Sequence, residues 1–506
     1  RAGISDKQMA WCDGMMPIKA RNLRCLPGLG SRLWRCTDSD PNTSIVHYDF
    51  ANIAANPIMI AFLSDGSIWQ VNTATGVPTN IAGGGTITNP SVLTVGMCQW
   101  GSQYVIIVST QVNGYWMWDG TTFYSPSGPA PGGGIIPTGI SGSSVETYQG
   151  RVWVQNGPSF VVSAPGSFID FTTASGGVST TSADPFLRVK YSRLKQTNGF
   201  LYLVADSSIN YVSGVNTGGS PVLTTFSNLN ADPEVGTPYP AAVETFGRSL
   251  IIANNIGVYQ LSGGAATKIS DDLDGVYRSV PNFSSLQPSS AKAVIYGQKV
   301  YILLIPIIDP ITFQLVNKLF LWNGRFWWTS GQDFPLGLVR SQEINSIITA
   351  WGATPAVAPT DIYPLFQTAS NQFTKTVRSK LWSNVGPMQY QVEKTVTRFW
   401  ALAQCYDLLD RDINLAVDNG IDSYQTVVPV NPRNLVWTNS SGGVISWTNS
   451  SGQPLQWFGG AGSILQLQAT AVGQHGVLNG MTVQTNAKDI ALISAMLQPD
   501  SYAYLG

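Results

Sequence analysis

The chain has 506 residues, only 11% of them charged, and its 28 Lys and Arg against 29 Asp and Glu leave a formal net charge of −1. That length supports two or three domains with sizeable cores, and the balance excludes the overall basic footprint of a nucleic-acid-binding surface. With 51 Gly, 30 Pro, 16 Trp and just five Glu (Glu146, Glu234, Glu244, Glu343, Glu393), helix formers are scarce and strand and turn formers abundant, so the expected class is all-β.

Residues 1–45 form an arm or β extension of different composition. From Arg1 to Cys36 seven basic residues (Arg1, Lys7, Lys19, Arg21, Arg24, Arg32, Arg35) face two acidic ones, Asp6 and Asp13. Such an excess suits a phosphate backbone or an acidic protein surface, or is simply a solvated arm. Within it, Arg21-Asn22-Leu23-Arg24-Cys25-Leu26-Pro27-Gly28-Leu29-Gly30 places a turn directly after a short strand.

From about 46 to 368 an internal repeat takes over. Gly101, Gly150, Gly199, Gly247 and Gly297 stand 49, 49, 48 and 50 residues apart, and Val145-Glu146-Thr147-Tyr148 recurs as Val243-Glu244-Thr245-Phe246. Strands are expected to begin near Ile58, Tyr104, Val152, Leu201, Leu250, Val300 and Ile347. Each has a hairpin partner: Ser67 to Val71, Tyr115 to Trp118, Phe160 to Ser163, Ile209 to Val212, Gly257 to Leu261, Leu319 to Trp322 and Asp361 to Phe366. A strand-turn-strand unit with a period of about 48 residues points to a β-propeller of six or seven blades, because one sheet cannot bury both of its faces alone. Trp69, Phe123, Trp153, Tyr202 and Trp327 each lie four residues after the polar member of an Asp, Asn or Gln-Gly pair, which predicts equivalent positions packed between blades. Gly83-Gly84-Gly85, Pro126 to Gly134 and Gly214 to Pro221 read as long exposed loops.

Residues 369–506 make up a further β domain. Val396 to Tyr406 alternates, and Trp437-Thr438-Asn439-Ser440-Ser441-Gly442 recurs ten residues later as Trp447-Thr448-Asn449-Ser450-Ser451-Gly452, with Trp457 one period further. This predicts a projecting hairpin ribbon at about 433–458 carrying a Trp row. Such a row anchors a subunit interface, the favoured reading, or stacks on sugars.

Little chemistry is offered. His47 and His475 are the only histidines, which leaves a Ser-His or Cys-His nucleophile unsupported. The five cysteines (Cys12, Cys25, Cys36, Cys98, Cys405) are odd in number and lack Cys-x-x-Cys spacing, so neither a zinc site nor a full disulfide framework is indicated. Ser270-x-Asp272-x-Asp274-Gly275 imitates a calcium loop but has Pro281 where the bidentate Glu should stand. Gly132-Gly133-Gly134 has no helix after it to receive a phosphate. Ser64-Asp65-Gly66-Ser67-Ile68-Trp69 resembles the Asp-box turn of sialidases, yet is one residue short and unrepeated. No catalytic residue, cofactor or metal is therefore expected. The longest apolar run, Val300 to Ile308, is nine residues with Pro306 inside it, so no integral membrane segment and no signal peptide are expected either.

An arm that runs into Arg21 to Gly30, followed by a large repetitive β region, resembles the tail nozzle proteins of short-tailed bacteriophages. The resemblance lies in architecture over most of the chain, and in local motif only over Arg21 to Gly30. It implies a propeller with added β domains, a homo-hexameric ring at the distal end of the virion tail, and a channel that retains packaged double-stranded DNA and conducts it at ejection without sequence-specific binding. The implied partners are a portal-adaptor ring, tail fibres or spikes, and a plug or needle. Arg21, Arg24, Arg32 and Arg35, with Trp437, Trp447 and Trp457, are then the candidate adaptor and subunit contacts. The alternatives are a carbohydrate-binding propeller or adhesin using the Trp row, and a propeller glycosidase using Asp272 or the Asp407 and Asp410 pair.

Overall fold

The computed structural model describes residues 9–18, 22–36, 43–181, 193–277, 287–308, 313–330, 336–357, 359–367, 374–379, 394–406, 411–419, 423–430, 440–441, 447–448, 450–451, 454–455, 463–476 and 478–501. Two compact units divide the chain. One comprises Ser31–Trp327 and Pro335–Leu365; the other comprises Arg1–Gly30, Trp328–Phe334 and Phe366–Gly506.

The first unit is a seven-bladed β-propeller, at the upper end of the expected count. Its blades are antiparallel meanders whose first strands are Ile45–Ile53, Val95–Trp100, Ser144–Tyr148, Arg193–Thr197, Val243–Phe246, Ser289–Ile295 and Leu338–Ile344. Each first strand touches the next, and the seventh touches the first, so the ring is closed.

The second strands explain why this arrangement forms. A blade covered by neighbours on both faces has no polar side, so its central strand reads as a continuous apolar run rather than an alternating one. In Asn56–Leu63, Ile58, Ile60 and Phe62 pack toward blade 2, while Met59, Ala61 and Leu63 pack toward blade 7. Val105 and Ile107 likewise face blade 1, and Ile106 and Val108 face blade 3. Leu201 and Leu203 face blade 3, and Tyr202 and Val204 face blade 5. Every one of these runs therefore serves two cores at once.

The seven strand pairs legible in the sequence are the second and third strands of the blades. The recurrent glycines sit in the turn before the second strand. Gly101, Gly150, Gly199, Gly247 and Gly297 have φ between 58° and 81°, and a Cβ would meet nothing within 4 Å, so backbone conformation rather than space demands glycine there. Blades 1 and 7 make the same turn with Ala54-Ala55 and Asn345-Ser346, at φ 48° and 64° and at 48° and 68°.

Two expectations are corrected. Gly214 to Pro221 is not a loop: Ile209–Gly218 and Leu223–Asp232 pair as far as Gly218 with Leu223, with an irregularity between Ser213 and Asn216 where Gly214 takes φ 60°. The aromatics at constant offset are not equivalent either. Trp153 and Tyr202 stand on second strands, Trp69 on a third, and Phe123 and Trp327 begin fourth strands. The offset reflects the shape of a tight hairpin, which recurs at three places in a blade. All five are at least half-buried.

Closure depends on residues far apart in sequence. Blade 7 takes its first three strands from Leu338–Ile344, Ile347–Ala353 and Asp361–Pro364, and its fourth is Trp34–Arg35, so the propeller reaches back into the segment the sequence sets apart as an arm. Trp34 is buried against blades 1 and 7, its ring 6.1 Å from that of Trp69. Arg35 grips Asp361 through Nε and Nη2 at 2.7 and 2.8 Å. The buried Tyr48 hydroxyl donates to the Trp351 carbonyl at 2.9 Å, tying blade 1 to blade 7.

The second unit is a sandwich of two sheets. One contains Met15–Ile18, Asn22–Cys25, Ile490–Ser501, Lys394–Cys405 and Ser463–Gly476; the other contains Met9–Asp13, Lys375–Ser379, Gly480–Thr485, Arg411–Asp418 and Ser423–Val430. Met15, Cys25, Phe399, Leu415, Leu467 and Leu492 are among the residues of its core. The alternation predicted from Val396 changes phase: Val396 faces the core, then Phe399, Ala401 and Ala403, because the register shifts between Val396 and Arg398. The amino-terminal strands thus belong to the same sandwich as the carboxy-terminal region.

Removing Trp34 opens a large hole at the ring's seam, whereas the Arg35 pair is partly solvated. In urea titrations Trp34→Ala is expected to cost about 3–5 kcal/mol, and Arg35→Ala no more than about 1 kcal/mol.

Candidate functional site

The first strands of the blades carry a side-chain set unlike the rest of the molecule. In a chain with five Glu, three of them (Glu146, Glu244, Glu343) stand on first strands, accompanied by Asp49, Arg193, Lys195, Lys292 and Arg340. A first strand is flanked by its neighbours near the axis, where seven of them converge, so its axial face meets other first strands rather than an apolar blade. Charges placed there must answer one another, since buried charge without a partner is costly.

They do so around the ring. Arg193 Nη2 lies 3.5 Å from Asp49 Oδ2, linking blades 4 and 1. Lys195 Nζ lies 3.5 Å from Glu244 Oε1, linking blades 4 and 5. Lys292 Nζ lies 2.8 Å from Glu343 Oε2, linking blades 6 and 7. Ser341 on blade 7 donates its hydroxyl to Glu244 Oε2 at 3.2 Å. On blade 2 the uncharged Gln99 takes the place of an ion: its Oε1 accepts the Asn52 amide at 3.0 Å, and its Nε2 donates to the Asn52 carbonyl at 2.6 Å. The arrangement borders a partly open cavity of about 110 Å³ lined by Asp49, Arg193, Lys195, Glu244, Lys292 and Arg340, with Thr245, Ser341 and Glu343.

The repeated Val-Glu-Thr motif has a local logic. In both copies the carboxylate turns back on its own strand: Glu146 Oε1 accepts the Thr147 amide at 3.1 Å, and Glu244 Oε1 accepts the Thr245 amide at 2.8 Å. Their surroundings then diverge. Burial pushes the Glu146 carboxyl above its ordinary pKa, more than Lys195 and the Thr147 amide pull it down. Burial acts on Glu244 too, but Lys195, Lys292 and the Thr245 amide outweigh it and hold that carboxyl below its ordinary value.

His47, on the first strand of blade 1, is fully buried with its ring 5.7 Å from Phe62, and among the described residues neither ring nitrogen has a hydrogen-bond partner. Burial, then the positive charges of Arg340 and Arg193, hold its pKa well below the usual value. It is a packed neutral ring.

The residues singled out in the sequence are dispersed. Arg24 donates from Nε and Nη2 to both Asp489 oxygens, at 3.0 and 2.8 Å, and its guanidinium lies 4.3 Å from the centre of the Tyr406 ring, all within the sandwich. Arg32 and Arg35 share Asp361 in the propeller, at 3.7 and 2.7 Å. Arg21, Trp437 and Trp457 lie outside the described residues, as do Asp407 and Asp410. Trp447 begins the short strand Trp447–Thr448, paired with Pro454–Leu455. Asp271 and Asp274 both approach Lys268. Asp65 accepts from the Ser67 amide and hydroxyl, and Ser67 Oγ from Trp69 Nε1 at 3.1 Å, which makes Asp65-Gly66-Ser67-Ile68-Trp69 a self-contained turn.

The axial network has a signal in the sequence: three of the five Glu fall on first strands, Glu146 and Glu244 at equivalent places and Glu343 one residue nearer the turn. Val-Glu-Thr marks the period, and its second copy supplies Glu244 to the axial cavity.

No protein-family model matches the chain, and no curated protein matches it in sequence. Among solved structures it is similar to BBS1N in complex with ARL6DN, at 7% identity over 68% of this chain and 99% of that one, with a TM-score of 0.41. It is also similar to a Trypanosoma rangeli sialidase in complex with the inhibitor DANA, at 10% identity over 88% and 92% of the chains (TM-score 0.35). A third similar structure is a puromycin hydrolase, at 12% identity over 72% of this chain and 57% of that one (TM-score 0.36).

The two Val-Glu-Thr carboxylates predict opposite responses. At pH 7 Glu244→Gln is expected to cost about 2–3 kcal/mol, a gap that closes as pH falls below the unfolded value of about 4.3 and through the lower folded one. Glu146→Gln is expected to be neutral or stabilising at pH 7, its advantage shrinking as pH falls through the raised folded pKa. Denaturant titrations from about pH 7 to about pH 3 read both, the lower end being needed for Glu244. The same titrations should show His47 as a loss of up to about 1.4 kcal/mol per pH unit below about 6.5, a slope absent from His47→Gln.

Proposed function

We propose that this chain is a structural protein of a virion tail, the nozzle subunit of a short-tailed bacteriophage, acting as a homo-hexamer whose ring retains packaged DNA and conducts it at ejection. The observation that carries this reading is the architecture: a propeller inserted into a β-sandwich that both ends of the chain build. A propeller with an added β domain is what the resemblance in the sequence implies.

The propeller's axis supports a scaffolding role. Six of its charged side chains are committed to one another across blades, with Arg193 on Asp49, Lys195 on Glu244 and Lys292 on Glu343. A cavity of about 110 Å³ has no room for a duplex, so in this reading the DNA conduit is the ring's own axis, between subunits. The balance of 28 basic and 29 acidic residues suits a wall past which DNA slides, because each phosphate contact would add an attraction along the path. No catalytic role is assigned. The partners of the reading are a portal-adaptor ring above, fibres or spikes at the side and a plug or needle below, and its location is the virion tail.

Light scattering of the purified protein, alone and with a candidate adaptor ring, tests the reading together with negative-stain images. The expected particle has about six times the 54.4 kDa chain mass and an axial hole. A monomer that stays monomeric with the adaptor, and shows saturable tryptophan quenching on a glycan panel, would replace it with the sugar-binding reading.

A further inference from the structure

In the five-stranded sheet of the sandwich, strand Lys394–Cys405 lies between Ile490–Ser501 and Ser463–Gly476. Phe399, Ala401 and Ala403 point into the core, as do Leu467 and Ala469 on one neighbour and Leu492 on the other. Successive residues of a strand alternate between faces, and residues opposite one another share a face. Arg398, Trp400 and Leu402 therefore point away from the core. Trp400 stands directly between Gln468 and Met496, Arg398 is opposite Gln498, and Leu402 is opposite Gln466. Their solvent contact agrees with this placement: Arg398, Gln466, Gln468 and Met496 are exposed, while Trp400, Leu402 and Gln498 are half-buried.

Of these side chains only Arg398 is charged, and among the described residues it has neither an ion pair nor a side-chain hydrogen bond. The amides of Gln466, Gln468 and Gln498 likewise have no side-chain hydrogen bond among the described residues, so each offers a donor and an acceptor outward. Arg398, Trp400 and Leu402 form a strip that runs for about 14 Å along one strand.

This combination selects among occupants. A single-stranded nucleic acid needs a row of cations along its phosphates, and one arginine is not a row. A protein partner would have to immobilise and desolvate three flexible amides, which is unfavourable without a matched set of donors and acceptors. A sugar chain brings such a set. Its rings present C–H faces that suit an indole, its rim presents hydroxyls that suit amides, and a carboxylate on the ring suits a guanidinium.

We propose that this face binds an acidic glycan, a chain of pyranose rings bearing carboxylates, with one ring stacked on Trp400, its carboxylate on Arg398 and its hydroxyls on Gln466, Gln468 and Gln498. The site uses none of the tryptophans at 437, 447 and 457, and it does not rest on the tail reading. Particle mass tests that reading and glycan binding tests this site, so each can fail without the other.

The full chain is titrated by calorimetry with oligogalacturonate and with oligosialic acid, and with a cello-oligosaccharide as the neutral comparison. Saturable binding of at least one acidic probe is expected, tighter than that of the neutral one. Trp400→Ala is expected to weaken it by about tenfold or more. Arg398→Gln is expected to weaken the acidic probe by about tenfold and leave the neutral one unchanged. Both side chains point outward, so the variants should melt with the wild type; if Trp400→Ala does not fold, Gln468→Ala and Arg398→Gln carry the test. No binding of either acidic probe, or undiminished binding in the folded variants, overturns the proposal. So does a fall in particle mass in Trp400→Ala when the wild type binds no glycan, an outcome that would make the face a contact between copies of this chain.

Discussion

A sheet that is apolar on both faces has no stable existence alone, and that constraint organises the propeller. Each second strand divides its side chains between two cores, as Ile58, Ile60 and Phe62 against Met59, Ala61 and Leu63 show. A row of such blades always leaves two apolar faces at its ends unless the row bends round and joins them. The join between blades 7 and 1 is therefore the contact on which the others depend, and Trp34, Tyr48, Trp351 and Ile362 fill it. The strand Trp34–Arg35 finishes the sheet that needs a fourth strand, using backbone hydrogen bonds for register and an Arg-carboxylate clamp for placement.

The converging first strands pose the opposite problem. Near the axis the first strands face one another, and their charges range from deeply buried, as Arg340 is, to half-exposed, as Glu343 is. The chain answers with ions in interlocking pairs and with Gln99, whose amide bridges to the backbone of blade 1. In a protein with so few charged residues, this concentration makes the axis electrostatically distinct from the apolar seams around it. The pairs link blades 1 and 4, 4 and 5, and 6 and 7, so they lock the ring across its centre as well as around its rim.

How much of this was legible follows from range. The runs Ile58 to Leu63 and Val105 to Val108 declare buried strands by composition alone, and the Gly turns declare their spacing, because both effects act within a few residues. Seven hairpins could thus be placed from the sequence. Strand Trp34–Arg35 could not, since nothing within two residues says that its partner is Asp361 and Ile362. The sandwich was obscured for the same reason: Leu23 and Arg24 pair with Leu492 and Ala491, across almost the whole chain. The arginines that cluster in sequence, Arg24, Arg32 and Arg35, are held by Asp489 and Asp361. The axial charges lie singly on strands about 50 residues apart, and only the ring brings them together.

The seam also dictates an order of events during synthesis. The ribosome delivers Trp34 and Arg35 first and their partners Asp361 and Ile362 some 326 residues later. Until then strand Trp34–Arg35 has no sheet to join, and the face of blade 1 that carries Met59, Ala61 and Leu63 has no final blade to cover it. Exposed strand edges and apolar faces invite wrong pairing with other nascent chains. A protein closed in this way gains its last and most consequential contacts only when most of it has been made, and slow, chaperone-shielded maturation is the natural cost of that design.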